Sequence, residues 1–146
     1  MCITVCEKSD FDQILNEIED FWGSRRTACL HHPVFLYEFG NTAYVIKEND
    51  RVVAYLFGFL SQTSPTAYIH LIAVRKSHRR LGLGQSLFEH FADYARQHGC
   101  REIKAITSPD NAASVAFHES LGMEASAVVK DYSGPGIDRI VFKKAL

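Results

Sequence analysis

The fold of this chain is decided by one stretch, Val74-Arg75-Lys76-Ser77-His78-Arg79-Arg80-Leu81-Gly82-Leu83-Gly84-Gln85. It joins an apolar, strand-like run over residues 67–74 to an amphipathic, helix-like run that begins near Gly84. Gly82 and Gly84 let the backbone turn sharply and approach a ligand closely. The first N–H groups and the positive dipole end of the following helix point into the same turn. Together with four fixed charges, these features predict a diphosphate site; the charges come from Arg75, Lys76, Arg79 and Arg80.

Two common phosphate-binding motifs do not fit this turn. The Rossmann fingerprint needs a third glycine after Gly82-Leu83-Gly84, and a Walker A loop ends in Gly-Lys-Ser/Thr. The pattern Arg79-x-x-Gly82-x-Gly84 resembles instead the pyrophosphate loop of the GNAT (Gcn5-related) N-acetyltransferases. Taken alone, the same residues also fit a plain strand-to-helix turn with a solvated basic face.

Length, composition and charge limit the classes of protein to which this chain can belong. The 146 residues are 47% hydrophobic and 23% charged, which indicates one folded domain over residues 1–146. The net charge of −1 argues against nucleic-acid binding, so the basic turn suits a small anion. No apolar run approaches the ~20 residues of a membrane span. The N-terminus also lacks the pattern of a secretion signal, and we therefore expect a cytoplasmic protein with no membrane partner.

The cysteines predict free thiols. Cys2, Cys6, Cys29 and Cys100 form no close CxxC pair. A metal site that adds His31 or His32 is conceivable, but the spacing matches no usual zinc pattern. We therefore expect no metal cofactor.

The remaining periodicities predict an α/β fold, with a mixed sheet and helices on both faces. An irregular segment, residues 23–40, is expected to cover a substrate pocket. Strict alternation in residues 67–74 places His70 on the same strand face as Tyr68 and Ile72. The predicted strands are 3–7, 42–47, 51–60, 67–74, 102–107, 125–130 and 137–143, with 102–107 parallel to 67–74. The predicted helices are 10–22 (capped by Ser9, with Asp12 three residues on), 84–98 and 112–121.

A second motif strengthens the resemblance to the GNAT family. Asn111-Ala112-Ala113-Ser114-Val115-Ala116-Phe117-His118-Glu119-Ser120-Leu121-Gly122-Met123 resembles the family's Asn-x-x-Ala-x-x-Phe/Tyr-Tyr-x-x-x-Gly-Phe helix. The helical wheel places Asn111, Ser114 and His118 on a polar stripe that would line a cleft, and Ala113, Phe117 and Leu121 on the sheet side. The resemblance extends over residues 3–143, is strongest over 67–123, and implies the GNAT acyl-CoA N-acyltransferase fold.

The resemblance implies a place for acyl-CoA. The pantetheine arm would run beside the main chain of Ile72, Ala73 and Val74, and Asn111 and Ser114 would touch the cofactor. A backbone N–H near Ile72 would stabilise the tetrahedral oxyanion. The pyrophosphate would lie on Arg79, Arg80, Leu81, Gly82, Leu83, Gly84 and Gln85.

Two histidines are candidate catalytic groups. His118 stands where many relatives have a tyrosine thought to protonate the leaving thiolate; it could act as that acid or only as a hydrogen-bonding group. His70 could be the general base, although glutamate is common near there in the family, or simply an interior histidine. His31, Tyr68 and Gln62 are the candidates for lining the acceptor pocket. Glu38 and Tyr132 are weaker ones.

The implied function is transfer of an acetyl group from acetyl-CoA to a primary amine by direct attack in a ternary complex. Neither motif contains a cysteine, which disfavours a covalent acyl-enzyme. The alternative is a GNAT-fold sensor that binds acyl-CoA without catalysis. The sequence leaves the acceptor open, as a small molecule or a peptide, and homodimers through edge strands are frequent among similar proteins.

Overall fold

The computed structural model describes residues 1–146. One seven-stranded sheet has the order β1-β2-β3-β4-β5-β7-β6, with β4 and β5 parallel as predicted. None of the helices is long and apolar enough to cross a membrane. The strands are β1 Ile3–Val5, β2 Ala43–Glu48, β3 Arg51–Leu60, β4 Thr66–Val74, β5 Glu102–Thr107, β6 Glu124–Ala125 and β7 Ile140–Ala145. The helices are α1 Lys8–Asn16, α2 Ile18–Trp22, α3 Val34–Tyr37, α4 Leu83–Gln97 and α5 Ala112–Ser120, and short 3-10 turns cover Ala28–Leu30, Gly40–Thr42 and Lys76–His78.

Two compact units make up the chain. The first comprises Met1–Phe59 and His70–Phe91. Its core is an apolar cluster in which α1, α2 and α3 pack against β2, β3 and the end of β4. The cluster includes Phe11, Phe21, Phe35, Tyr55, Phe57, Leu71 and Ala73. Its aromatic rings meet in stacked and edge-on pairs, such as Phe21 with Tyr55 at a centroid distance of 5.1 Å.

The single helix predicted over residues 10–22 is wrong, because the backbone leaves helical geometry at Glu17 (φ −114°, ψ 27°). At this break the Glu17 carboxylate accepts hydrogen bonds from Arg51 (2.8 Å) and Arg75 (3.2 Å). The predicted cap at Ser9 is also wrong. Helix α1 begins two residues earlier in a capping box between Glu7 and Asp10.

The hairpin predicted around residues 48–50 is confirmed. Asn49 and Asp50 join β2 to β3 with φ values of 52° and 63°. Both lie in the left-handed region that a tight hairpin turn requires, and Asn and Asp tolerate it better than most residues. This turn fixes the register of β3, the strand that lies beside β4.

The second unit comprises Leu60–Ile69 and Ala92–Leu146. Within it, β7 pairs antiparallel with β5 along six residues. The predicted long strand pair over 125–130 and 137–143 is wrong, because β6 has two residues and only a single bridge, Val129 with Arg139, follows it. Between them Asp131 turns with φ 57°, and its carboxylate accepts the Gly136 N–H at 2.7 Å. These local turn bonds replace the ladder that the apolar pattern suggested.

Candidate active site

The glycine turn before α4 has the backbone of an anion site. Gly82 lies in the left-handed region (φ 76°) immediately before the first helical residue, Leu83. The first intrahelical bond runs from the Ser86 N–H to the Gly82 carbonyl (3.0 Å). The N–H groups of Leu83, Gly84 and Gln85 precede that bond and have no carbonyl one turn back to pair with. The positive end of the dipole of this 15-residue helix therefore lies at the turn.

One of the four predicted charges does not belong to this site. Arg75 is buried, and its Nε and Nη2 donate to the Val52 carbonyl at 3.0 and 2.7 Å. Its Nη1 donates to Glu17 (3.2 Å) and Asp20 (3.0 Å). The guanidinium also lies 4.5 Å from the centre of the Phe21 ring. The Arg75 guanidinium is thus hydrogen-bonded and ion-paired within the first unit. The expectation that Arg75 faces an anion is therefore wrong.

The other three charged side chains of the turn are exposed. Lys76, Arg79 and Arg80 each lie more than 4.0 Å from any carboxylate. Arg79 Nη2 donates to the Phe21 carbonyl at 2.9 Å, which ties the turn to α2 while keeping its charge uncompensated. His78, in contrast, is engaged by Glu48 at 3.2 Å.

The main chain of β4 is open along its second half. Its parallel pairing with β5 covers Thr66–Tyr68 with Glu102–Lys104, whereas β4 itself continues to Val74. On the other side of β4 the strand order places β3. The peptide groups around Ile72, Ala73 and Val74 can therefore pair with an extended ligand as another strand would.

His70 is held so that one ring nitrogen stays available. Its Nε2 lies 2.8 Å from the Leu30 carbonyl oxygen, which can only accept, so Nε2 carries the hydrogen. In the neutral ring Nδ1 is then an unprotonated acceptor. The ring stacks on Phe35 at a centroid distance of 4.3 Å. Burial lowers its pKa below the usual 6.5, although the bond to Leu30 opposes this shift. The neutral form, which can accept a proton, thus dominates at neutral pH.

The strict alternation predicted for β4 does not hold at His70. The neighbouring Leu71 belongs to the same apolar cluster as Phe35, the ring on which His70 stacks. Two successive side chains therefore pack toward α3, which a regular pleat does not allow. The prediction that His70 shares a face with Ile72 is wrong.

His31 is part of a buried hydrogen-bonded chain. Its Nδ1 lies 2.8 Å from the Thr27 carbonyl and its Nε2 lies 2.7 Å from the Tyr55 hydroxyl. The carbonyl requires Nδ1–H, so the Tyr55 O–H donates to Nε2 and accepts from Trp22 Nε1 at 2.6 Å. Burial lowers the pKa of His31. Since both ring nitrogens are engaged, contact between His31 and an acceptor stays a prediction without geometric support.

His118 faces the sheet rather than a polar stripe. It is buried and stacks on Phe142 at 4.5 Å with the planes 9° apart, whereas Ala113 is exposed. The predicted faces are therefore wrong for His118 and Ala113, whereas Leu121, predicted on the sheet side, is buried. Its Nδ1 donates to the Ser114 carbonyl (2.7 Å), which leaves Nε2 bare in the neutral ring. Burial lowers the pKa of His118, so most of it is neutral near pH 7.

The amide of Asn111 caps α5. Its Oδ1 accepts the Ser114 N–H at 3.0 Å, and the Ser114 hydroxyl lies 3.3 Å from His118 Nδ1. This places Asn111, Ser114 and His118 in one local chain of contacts that runs from the N-cap to the last turn of the helix. Their contact with a cofactor stays a prediction.

The expected acceptor-lining residues are dispersed. Gln62 and Glu38 are exposed. Tyr68 is half-buried, and burial together with nearby Tyr132 raises its pKa to about 12. The sequence reasoning missed the contacts of His70 with the Leu30 carbonyl and the Phe35 ring. Both partners lie in the irregular segment over residues 23–40, where no periodicity signals them.

The sequence matches the profile of the Acetyltransferase (GNAT) family over residues 11–123. The chain belongs to this family. The match includes both the glycine turn and the Asn111–Met123 motif, so the family resemblance is confirmed for the segments that carried it.

Curated relatives of this GNAT protein are acetyltransferases with different acceptors in their names. It is 30% identical to L-2,4-diaminobutyric acid acetyltransferase of Nocardia farcinica over 91 residues. These residues make up 62% of this chain and 47% of that protein. It is also 30% identical over 91 residues to an aminoglycoside N(6')-acetyltransferase type 1 of Acinetobacter baumannii, covering 62% of each. The match thus spans about half to three fifths of these relatives.

A solved structure shows the same fold. The GNAT chain superposes on an aminoglycoside 6'-N-acetyltransferase crystallised with coenzyme A with a TM-score of 0.73, covering 99% of this chain and 97% of the other. The two are 15% identical, so the likeness concerns the fold. It confirms the predicted α/β architecture with a mixed sheet.

Proposed function

We propose that this protein is an N-acetyltransferase that moves the acetyl group of acetyl-CoA to a primary amine. The observation that carries the proposal is the turn at Gly82, where N–H groups that precede the first intrahelical bond meet exposed positive charges. A diphosphate satisfies both features. The relatives' names, each an acetyltransferase of an amine, support the same reaction class.

Coenzyme A would be bound through the pyrophosphate and the pantetheine arm. The backbone of Leu81–Gln85 would bind the pyrophosphate, and Arg79 and Arg80 would supply charge. Side-chain contacts from Gln85 are not needed, because its amide already donates to Glu89 at 2.8 Å. The open main chain of Ile72–Val74 would pair with the pantetheine amides and present a backbone N–H to the thioester oxygen.

The acceptor nitrogen would attack the thioester carbon directly. A C–N bond forms, the C–S bond breaks, the nitrogen loses one proton and the thiolate gains one. His70 Nδ1 would take the first proton, because Nε2–H is already held by the Leu30 carbonyl. The bond to Leu30 fixes the tautomer, so Nδ1 is the nitrogen of the neutral ring that can accept a proton.

His118 would donate the second proton only from its protonated form. Its neutral form holds its single N–H on Ser114, and the pKa lowered by burial makes the protonated form scarce near pH 7. Transfer from an imidazolium to a thiolate is nevertheless downhill, since a thiol has a reference pKa of ~8.5. The acid role therefore predicts that His118→Phe lowers kcat more at pH 6 than at pH 8 while the Kd for CoA changes little.

The test measures release of free CoA with a panel of primary amines, together with CoA affinity by calorimetry. We expect turnover with at least one amine and a fall of about 10²–10⁴-fold in kcat for His70→Gln, the usual contribution of a general base. His98→Gln is the matched control, because its ring nitrogen also contacts a carbonyl (2.8 Å, Tyr94) but lies on the exposed end of α4. CoA binding without turnover on any amine would instead support the sensor.

A further inference from the structure

We propose that Tyr68, Lys104, Tyr132 and Arg139, here called the cationic cluster, bind a carboxylate of the acceptor. The acceptor would then be an amino acid or another amine that carries a carboxylate. This inference rests on the proposed acetyltransferase function and adds the substrate class to it.

The cluster is assembled by strand register in the second unit. Tyr68 on β4 lies opposite Lys104 on β5, and Lys104 lies opposite Lys143 on β7. Residues in register share a sheet face, so these three side chains form one row across three strands. The loop before β7 brings the Tyr132 ring to this row, with Lys104 Nζ 5.5 Å from its centre.

Arg139 completes the cluster from the end of the same loop. Its Nη1 donates to the Ser108 hydroxyl (3.2 Å) and the Asp138 carbonyl (3.0 Å), which fixes the guanidinium without neutralising it. Arg139 and Tyr132 also act electrostatically on the Tyr68 phenol, Tyr132 raising its pKa and Arg139 lowering it.

The positive charge of this face has no partner within the chain. Lys104, Lys143 and Arg139 form no ion pair within 4.0 Å, unlike Lys47, Arg51 and Arg75 of the first unit. Two lysines directly opposite each other are unfavourable unless an anion lies between or beside them.

The nearby acidic side chains are used elsewhere or are too distant. Glu102 accepts the Thr66 hydroxyl at 3.1 Å, and Glu124, although in register with Lys143, is more than 4.0 Å from its ammonium. The carboxylates of Asp131 and Asp138 accept loop N–H groups at 2.7 and 2.9 Å. None of these carboxylates lies within 4.0 Å of the Lys104 ammonium or the Arg139 guanidinium, so the two cationic side chains of the cluster form no ion pair.

The chemistry of the cluster favours a carboxylate. Ammonium and guanidinium groups only donate, and a phenol can donate, whereas an ionised carboxylate only accepts. A ligand that is purely cationic, such as a polyamine, would be repelled.

The test uses pairs of acceptors that differ only in the carboxylate: L-2,4-diaminobutyrate with 1,3-diaminopropane, and L-lysine with 1,5-diaminopentane. We expect the carboxylated partner to have the higher kcat/KM by about tenfold or more, the usual effect of a charge-assisted hydrogen bond. Lys104→Met should bring this ratio toward one, mainly through KM. Arg101→Met removes the same charge from an exposed position before β5 and should leave the ratio unchanged.

Three results would overturn the inference and can be told apart. Equal kcat/KM within each pair for the native protein removes the carboxylate site but leaves the acetyltransferase. No CoA release from any acceptor removes the enzymatic function, and the inference with it. A Lys104→Met variant that weakens CoA binding while keeping the acceptor ratio would assign the charge to a CoA phosphate. Because the acceptor pairs are compared first in the native protein, a variant that fails to fold does not prevent the test.

Discussion

Substituting Gly82 with alanine would test the anion site, because the added Cβ meets no atom within 4 Å and the change is confined to the backbone. With φ at 76°, alanine in the left-handed region costs about 1–2 kcal/mol. If the turn relaxes in the free variant and CoA binding restores the left-handed conformation, the cost of that conformation is subtracted from the binding free energy of CoA. The Kd for CoA should then rise by about 5–30-fold.

Gly99 provides a matched control at the opposite end of α4. It has φ 81° and, like Gly82, no atom within 4 Å of an added Cβ. Gly99→Ala should therefore carry a similar strain and lower Tm by about 2–8 °C, given ~2–4 °C per kcal/mol for a chain of this size. Its Kd for CoA should stay within about twofold of the native value. Calorimetric titration of both variants decides the matter: equal affinities would refute the assignment of the pyrophosphate to the Gly82 turn.

Two further predictions concern stability. Arg75→Met should cost about 2–3 kcal/mol, because charged hydrogen bonds to Glu17 and the Val52 carbonyl are lost; Arg51→Met, at an exposed pair, should cost about 1 kcal/mol or less in the same urea titration. The folded pKa values of His31 and His118 lie below 6.5 because both rings are buried, so the unfolded chain binds more protons and the free energy of unfolding should fall as pH drops below 6.5. A flat unfolding free energy between pH 7.5 and 5.5 would contradict the neutral assignment of these rings.

The parts of the fold that the sequence predicted are those fixed by local chemistry. The Asn49–Asp50 turn and the start of α4 after Gly82 each follow from residues whose conformational preferences act within a few positions. The alternation of apolar residues also predicted both ends of strand β5, and both are confirmed. Where competing local bonds existed, as in the Asp131 loop, the apolar pattern predicted more strand than forms.

The site depends more on distant partners, which no periodicity reveals. Arg75 looked like its neighbours Lys76 and Arg79, yet partners more than 50 residues away bury its charge. The helical wheel misplaced His118 because it treated histidine as polar, whereas a neutral ring with its N–H on the i−4 carbonyl packs as an aromatic. A titratable side chain is therefore assigned to a face only when its hydrogen-bond partner is known.

The irregular segment over residues 23–40 contacts the proposed base. The Leu30 carbonyl sets the tautomer of His70, and Phe35 stacks on its ring. In the same segment, His31 is hydrogen-bonded to Tyr55, which in turn accepts a hydrogen bond from Trp22. A segment without regular periodicity therefore orients the proposed base. A substitution at Phe35 that changed only acceptor preference would be difficult to obtain, because the same contact controls the direction of the Nδ1 lone pair. Acceptor range and proton transfer should therefore change together when residues of this segment are substituted.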